Sequence, residues 1–330
     1  MDVLSDLLHR AHARNALVRQ LIQRPPWALA FTGAPPLTVV AALGGHASVR
    51  LDDAGVAPVR LAPGDIALIG GAHPHTIADD PSTPPQAVIH GNRKHVVGDG
   101  AAAAGVMAGV MAGVMARAMV GVQRSLGPRT YGDGLPGATI MLRGACELRG
   151  EAGVRLLGML PALAVVPAGP RTRAALDLLA AEVARDEPGQ DAVLHRLLDL
   201  VLVLALRAWC AGPGASVPSW HRALADPVAG EALRLLHERP AHRWTVAELA
   251  AGAGMSRAAF AARFRSMVGE PPLTYLTGWR MTLGADLLSD TDATVAAVAR
   301  EVGYGDAFAF SVAFKRAHGV SPSAWRRRTH

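Results

Sequence analysis

The sequence predicts a two-domain α+β protein: an N-terminal antiparallel β-barrel followed by a helical segment, and a C-terminal all-α domain with two helix-turn-helix units joined by a long helix. Three observations predict it. Short apolar runs separated by turn residues fill the first part of the chain. From about Arg171 the apolar period lengthens to three and four residues. The last third contains one motif twice, about fifty residues apart. The length allows this, because 330 residues, half of them apolar, exceed one small domain at roughly 100–200 residues each.

A charged, amphipathic lead-in runs to about Ile22. After it, Leu37–Leu43 is followed by Gly44 and Gly45, Ala47–Leu51 by Asp52 and Asp53, Val56–Leu61 by Pro63, Gly64 and Asp65, and Ile66–Ile69 by Gly70 and Gly71. Turns spaced by about ten residues argue for a small antiparallel barrel or sandwich. The pattern resumes at Thr139–Leu142 and Cys146–Leu148. Between them, Ala101–Val122 contains only Ala, Gly, Val and Met apart from Arg117, and repeats Val-Met-Ala-Gly from Val106. It has the length of a membrane span, but Ala and Gly are weakly apolar and Leu, Ile and Phe are absent. It therefore reads as a low-complexity insertion, about 95–135, in a connection of the N-terminal domain, and as the least ordered part of the chain. Two cysteines, Cys146 and Cys210, exclude a disulfide scaffold and a Cys-rich metal site. The charged N-terminus lacks the apolar run of a signal peptide, so a cytoplasmic protein is expected.

Leu176, Leu179 and Val183, then Val193, Leu197, Val201 and Leu204, mark two amphipathic helices with a stop at Asp186–Gly189. The second, Ala192–Trp209, is apolar on more than one face. Either it meets a partner subunit, making a homodimer, or it packs on its own barrel. Cys210–Ser219, rich in Gly, Pro and Ser, is the domain boundary. The expected organisation is a barrel over 1–170, a helical dimerisation or linker segment over 171–211, and the helical domain over 220–330.

The repeated motif runs Val246–Ser256 then Arg257–Phe264, and again Val295–Asp306 then Ala307–Phe314. In each copy a small residue (Ala250, Ala299) precedes a glycine (Gly254, Gly303) by four. The alanine lets the second helix cross closely, the glycine takes a left-handed turn, and a polar N-cap (Ser256, Asp306) starts the next helix. Phe264 and Phe314 are each followed, at matching offsets, by Gly269 or Gly319, Pro272 or Pro322, and Tyr275 or Trp325. Thr245 and Glu248 form a capping box ahead of the first copy. Lys occurs only at Lys94 and Lys315, so an Arg excess alone carries little information. Residues 220–330, however, hold fourteen Arg and Lys against ten Asp and Glu, which places four of the net +6 charges in one third of the chain.

These landmarks resemble the AraC/XylS-type transcriptional regulators, whose DNA-binding domain carries two helix-turn-helix units joined by a long helix. Pro272–Leu288 occupies that helix's place, and Val302–Pro322 is similar to the family's signature. The N-terminal part resembles the cupin-type sensor barrel, with Leu61–Ile69 followed by His75 similar to its second motif. The resemblance is densest over 245–325, extends to 20–90 and does not cover 91–137. It implies a sequence-specific DNA-binding regulator and not an enzyme, with double-stranded DNA as partner. A small-molecule effector and RNA polymerase are further partners it allows, with no cofactor, metal or membrane.

The resemblance implies base-edge contacts at Arg257, Ala258, Ala261 and Ala262 and at Ala307, Ser311 and Val312. It implies phosphate contacts at Arg243, Ser256, Arg263, Arg265, Lys315, Arg316 and the helix N-termini, where Thr245 and Asp306 also lie. Ala262 and Val312 stand where relatives often carry Arg, so readout leans on thymine methyls and DNA shape. Arg263 and Arg265 cannot both face DNA, because residues two apart on a helix lie ~200° apart. A linker of some 17 residues spans ~25 Å, compatible with recognition helices one DNA turn apart. Gly278 interrupts it, at a cost of ~1 kcal/mol relative to Ala. Phe260, Phe264, Phe310, Phe314, Tyr275 and Trp325 are read as core. Arg326–Arg328 are either a phosphate clamp or a solvated end.

Two other chemistries are weighed. A metal-dependent cupin enzyme needs several ligands, but His73 and His75 alternate, so only one points inward from a strand, and Ala34–Gly45 contains neither His nor Glu. His75 remains a ligand-binding candidate in an apolar pocket. A redox-responsive regulator would use Cys146 and Cys210, which read more simply as buried thiols.

Overall fold

The computed structural model describes residues 2–11, 14–53, 55–91, 93–96, 125–132, 134, 136–148, 150–212 and 217–329. Its elements are α1 (Val3–Arg10), β1 (Arg14–Gln23), β2 (Ala28–Thr32), β3 (Leu37–Gly44), β4 (Ala47–Leu51), β5 (Val59–Leu61), β6 (Ile66–Gly70), β7 (His75–Ala78), β8 (Ala87–His90), β9 (Arg93–Val96), β10 (Ser125–Gly127), β11 (Thr130–Gly132) and β12 (Thr139–Glu147). They continue as α2 (Gly150–Leu157), β13 (Leu163–Val166), α3 (Pro170–Val183), α4 (Gln190–Ala211), α5 (Ser219–Ala223), α6 (Pro227–Glu238), α7 (Val246–Gly252), α8 (Arg257–Val268), α9 (Pro272–Asp290), α10 (Val295–Glu301), α11 (Ala307–His318) and α12 (Pro322–Thr329). The repeat at Ala101–Val122 lies outside the described residues. Among the described residues, no helix is long and apolar enough to cross a membrane.

The chain divides into two compact units. The β-rich unit holds the strands with α3 and α4. Its seven-stranded sheet runs β10-β11-β1-β12-β3-β6-β13, and its six-stranded sheet runs β5-β4-β7-β2-β8-β9. The expected barrel is corrected here. No ladder joins an edge strand of one sheet to an edge strand of the other among the described residues, so the sheets do not close. Their inner faces share a core of Trp27, Leu29, Phe31, Val40, Val49, Leu61, Ile69, Ile77 and Met141. β3 and β6 are buried on both faces, because α3 and α4 together cover the outside of the larger sheet, α4 burying Leu194, Leu198, Val201, Leu202 and Leu206. Their sequences accordingly run apolar without alternation.

Two local expectations change. The lead-in is a helix and then a strand, with β1 paired along β12. The runs at Thr139–Leu142 and Cys146–Leu148 belong largely to one strand, since Arg143, Gly144 and Ala145 continue the ladder between them. At Gly144 the strand passes so close beneath α4 that a Cβ would run into Leu198.

The helical unit contains α1, α2 and α5 to α12. α1 buries Val3, Leu4 and Leu7 and also buries Asp6, whose carboxylate accepts from Arg10 Nε at 2.7 Å and His237 Nδ1 at 2.8 Å. His237 Nε2 accepts the Tyr275 hydroxyl at 2.8 Å, and the ring lies 4.3 Å from that of Trp279. Burial holds the His237 pKa below the ordinary histidine value despite Asp6, which suits a neutral ring donating at Nδ1 and accepting at Nε2. α2 is tied to α9 at its start, where the Glu151 amide donates to Asp286 at 2.6 Å.

Candidate nucleic-acid interface

α7 with α8, and α10 with α11, form the two duplicated units. Their crossings rest on the small residues the repeat marks, since Ala250 and Ala299 are buried. The second helix of each is started by its N-cap. Ser256 Oγ accepts the Ala259 amide at 3.2 Å, and Asp306 Oδ1 accepts the Ala309 amide at 2.8 Å. Thr245 and Glu248 close their capping box in both directions. Each unit has the same aromatic interior. Phe264 meets Tyr275 edge-on at 6.3 Å, as Phe314 meets Trp325 at 5.8 Å. α9 carries the first unit's Tyr275 near its start and receives the second unit at Gly284, against which Phe310 packs. A Cβ at Gly278 would meet nothing within 4 Å, so packing does not require glycine there.

The outward faces of α8 and α11 bring most of the expected contact residues together. Arg257, Ala258 and Ala262 are exposed on α8, and Ala261 is half-buried. On α11, Ala307 and Ser311 are half-buried, and the Ser311 hydroxyl donates to the Ala307 carbonyl at 2.7 Å. Val312 is 56% exposed. Sequence reasoning missed Phe308, which is 79% exposed, one turn before Val312. The signal was present: Phe310 and Phe314 define the buried side, and Phe308 lies ~200° around the helix from Phe310.

The cations differ in their engagement. Arg243, Arg257, Arg265, Lys315 and Arg316 are exposed and have no acidic partner among the described residues. Arg243 reaches the start of α11, where a Cβ at Gly305 would sit 3.2 Å from its Nη2. Arg263 instead turns to Asp226 at 2.7 Å, and Asp226 also caps the start of α6 through the Val228 and Ala229 amides. Arg326 is structural, donating to the Leu288 carbonyl in the last turn of α9 and to the Ala293 carbonyl just beyond it, while Arg327 and Arg328 are exposed.

The chain matches the Cupin family over residues 2–211 and a Helix-turn-helix domain family over 249–328. An AraC-like transcription regulator of Streptomyces antibioticus is 34% identical over 331 aligned positions, covering 99% of each chain. The chain belongs to the AraC family. A second AraC-like regulator, from Streptomyces lividans, is 33% identical over 99% of this chain and 98% of its own. The DNA-binding domain of AdpA, solved with a target DNA, is 36% identical, covering 32% of this chain and 93% of that domain, with a TM-score of 0.30. This protein is thus an AraC-type DNA-binding transcriptional regulator with an N-terminal cupin region, and its relatives are regulators rather than enzymes.

In the regulator's cupin region, His75 is fully buried between the sheets, and its ring stacks on Phe31 at 5.1 Å. Its Nδ1–H donates to the His73 carbonyl at 3.0 Å, and burial pushes its pKa down to about 4. His73 faces Asp53 at 3.0 Å. No three His, Cys, Asp or Glu side chains gather as a metal-binding set among the described residues. Burial pushes the Cys146 thiol up to about 12 and also raises Cys210, the opposite of what a reactive thiolate requires.

Proposed function

We propose that this AraC-type regulator reads double-stranded DNA with α8 and α11 in successive major grooves, in the cytoplasm. The observation that carries the reading is the pair of exposed faces on α8 and α11, joined by α9 and bordered by cations that have no acidic partner among the described residues. Arg257, Ala258, Ala261 and Ala262, with Ala307, Phe308, Ser311 and Val312, face base edges. Arg243, Arg265, Lys315 and Arg316 face phosphates, as do the helix starts capped by Ser256 and Asp306, with Thr245 at the start of α7. Arg263 supports α8 through Asp226 and is released from the phosphate set. A gel-shift series against a duplex selected from a random pool tests this. Binding should weaken steeply with salt, and Arg257→Ala should weaken it about tenfold or more. Unchanged binding removes Arg257 from the contact set.

The regulator acts as a homodimer through α4, with RNA polymerase as a further partner and a small-molecule effector held in the cupin region. The burial pattern of α4 supports both roles: one face covers its own sheet, and Val193, Leu197, Leu200 and Leu204 form a second stripe, with Val193 42% and Leu200 43% exposed. Leu200→Glu should give a monomer by light scattering with an unchanged circular dichroism spectrum. A dimer that survives the charge would place the interface elsewhere.

A further inference from the structure

We infer that the cupin region binds a small hydroxycarboxylate between its two sheets, held by Arg143 and Arg19 with Thr38 and His75. The inference rests on the reading of this region as a small-molecule sensor. The ladder decides where the side chains go. Arg143 on β12 stands directly opposite Arg19 on β1 and Val40 on β3, so it shares the inner face with Val40 and Met141. Arg19 lies beside it on the same face, its guanidinium 5.2 Å over the Tyr131 ring. Thr38, opposite Ala145, is two residues along that face.

Arg143 is only 7% exposed, yet no carboxylate faces it among the described residues. Its guanidinium lies 4.3 Å over the Phe31 ring, and its Nε is buried with no partner among the described residues. Burial and then the like charge of Arg19 push its pKa down to about 10. Such a group is costly to bury unless something neutralises it. Thr38 Oγ1 and His75 Nε2 are likewise fully buried with no partner among the described residues, and His75 reaches the same Phe31 ring from the opposite sheet. Two unpartnered donors and a second cation therefore sit on one sheet, facing an unpartnered acceptor on the other.

The chemistry of these atoms selects the ligand. Guanidinium and threonine hydroxyl donate to a carboxylate. His75 already spends its Nδ1–H on the His73 carbonyl, so Nε2 offers a lone pair, which accepts from a ligand hydroxyl. The neighbouring core residues, including Leu51, Ile77 and Met141, are apolar and would pack on a short carbon skeleton.

Thermal melting of the full chain tests this, with lactate and 3-hydroxybutyrate as probes, propionate and butyrate as their deoxy counterparts, and 1,2-propanediol as the neutral one. Hydroxycarboxylates should raise the midpoint most, the deoxy acids less, and the diol not at all. Arg143→Met, which keeps the volume, should weaken hydroxycarboxylate binding about 30-fold or more. It should also leave the unliganded midpoint equal or higher, because an unpaired buried charge is gone; a guanidinium with a merely structural role would lower it. A shift that survives in R143M, or one produced only by the neutral diol, overturns the anion assignment while the sensor reading stands. No shift with any probe overturns the hydroxycarboxylate assignment, and the sensor reading stands.

Discussion

Gly303→Val should abolish DNA binding and lower folding stability by about 3 kcal/mol or more, whereas Gly254→Ala, at the matching position of the first unit, should cost only about 1 kcal/mol. Both glycines take the left-handed turn, with φ of +88° at Gly303 and +63° at Gly254. A side chain at either pays the backbone penalty of that region, ~1–2 kcal/mol for a residue with a Cβ. The surroundings separate them. A Cβ at Gly254 meets nothing within 4 Å, while one at Gly303 lies 2.6 Å from the Ala241 carbonyl oxygen and 2.8 Å from Arg280 Nη2. Arg280 cannot withdraw freely, since its guanidinium holds the Pro240 and His242 carbonyls at 2.7 and 2.8 Å. Valine would force α10 and α11 away from the loop that positions Arg243. Thermal melting and gel shifts of the two variants check this, and equal melting losses at both sites would refute the argument.

The difference between these two glycines marks how far sequence reasoning reaches. That both positions need glycine follows from their place between a small helix residue and a polar N-cap, a purely local pattern. That only Gly303 is pressed by Ala241 and Arg280 depends on a tertiary packing that no spacing encodes. The same division runs through the molecule. The caps at Thr245, Ser256 and Asp306 and the buried Phe260, Phe264, Phe310 and Phe314 were legible, because capping and helical periodicity act within a few residues. The attachment of α1 to α6 and α9 through Asp6, His237 and Tyr275 was not. It joins positions 231 residues apart, and Asp6 in isolation looks like an ordinary surface acid. Arg263 and Arg326 were hidden for a similar reason: a cation on a helix reads as free until Asp226 or the end of α9 is placed beside it. The open sandwich escaped because alternating strands with regular turns suit barrel and sandwich equally, and only strand pairing at the edges distinguishes them.

Phe308→Ala should weaken binding to a selected duplex by about 1–3 kcal/mol, roughly 5- to 150-fold, and the loss should be reproduced by removing thymine methyls from the DNA. The outward side of α11 has little hydrogen-bonding capacity. The Ser311 hydroxyl proton goes to the Ala307 carbonyl, and Ala307 and Ala309 offer no polar atom. What it presents instead is Phe308 and Val312, 79% and 56% exposed and one helical turn apart. Single exposed apolar residues are commonplace on protein surfaces, but two stacked on the face flanked by Lys315 and Arg316 form a continuous apolar edge. In the major groove the apolar feature that differs between base pairs is the thymine C5-methyl group. Burying a phenyl ring against it is worth ~1.5–3 kcal/mol on transfer grounds, enough to account for the expected loss. Replacing thymine by deoxyuridine at each position of the selected duplex therefore gives a direct reading. At the position Phe308 covers, uridine should weaken the wild-type protein and leave Phe308→Ala unaffected, because the contact has already gone. If the two losses instead add, Phe308 and the methyl group act independently, and α11 must read its site by another face.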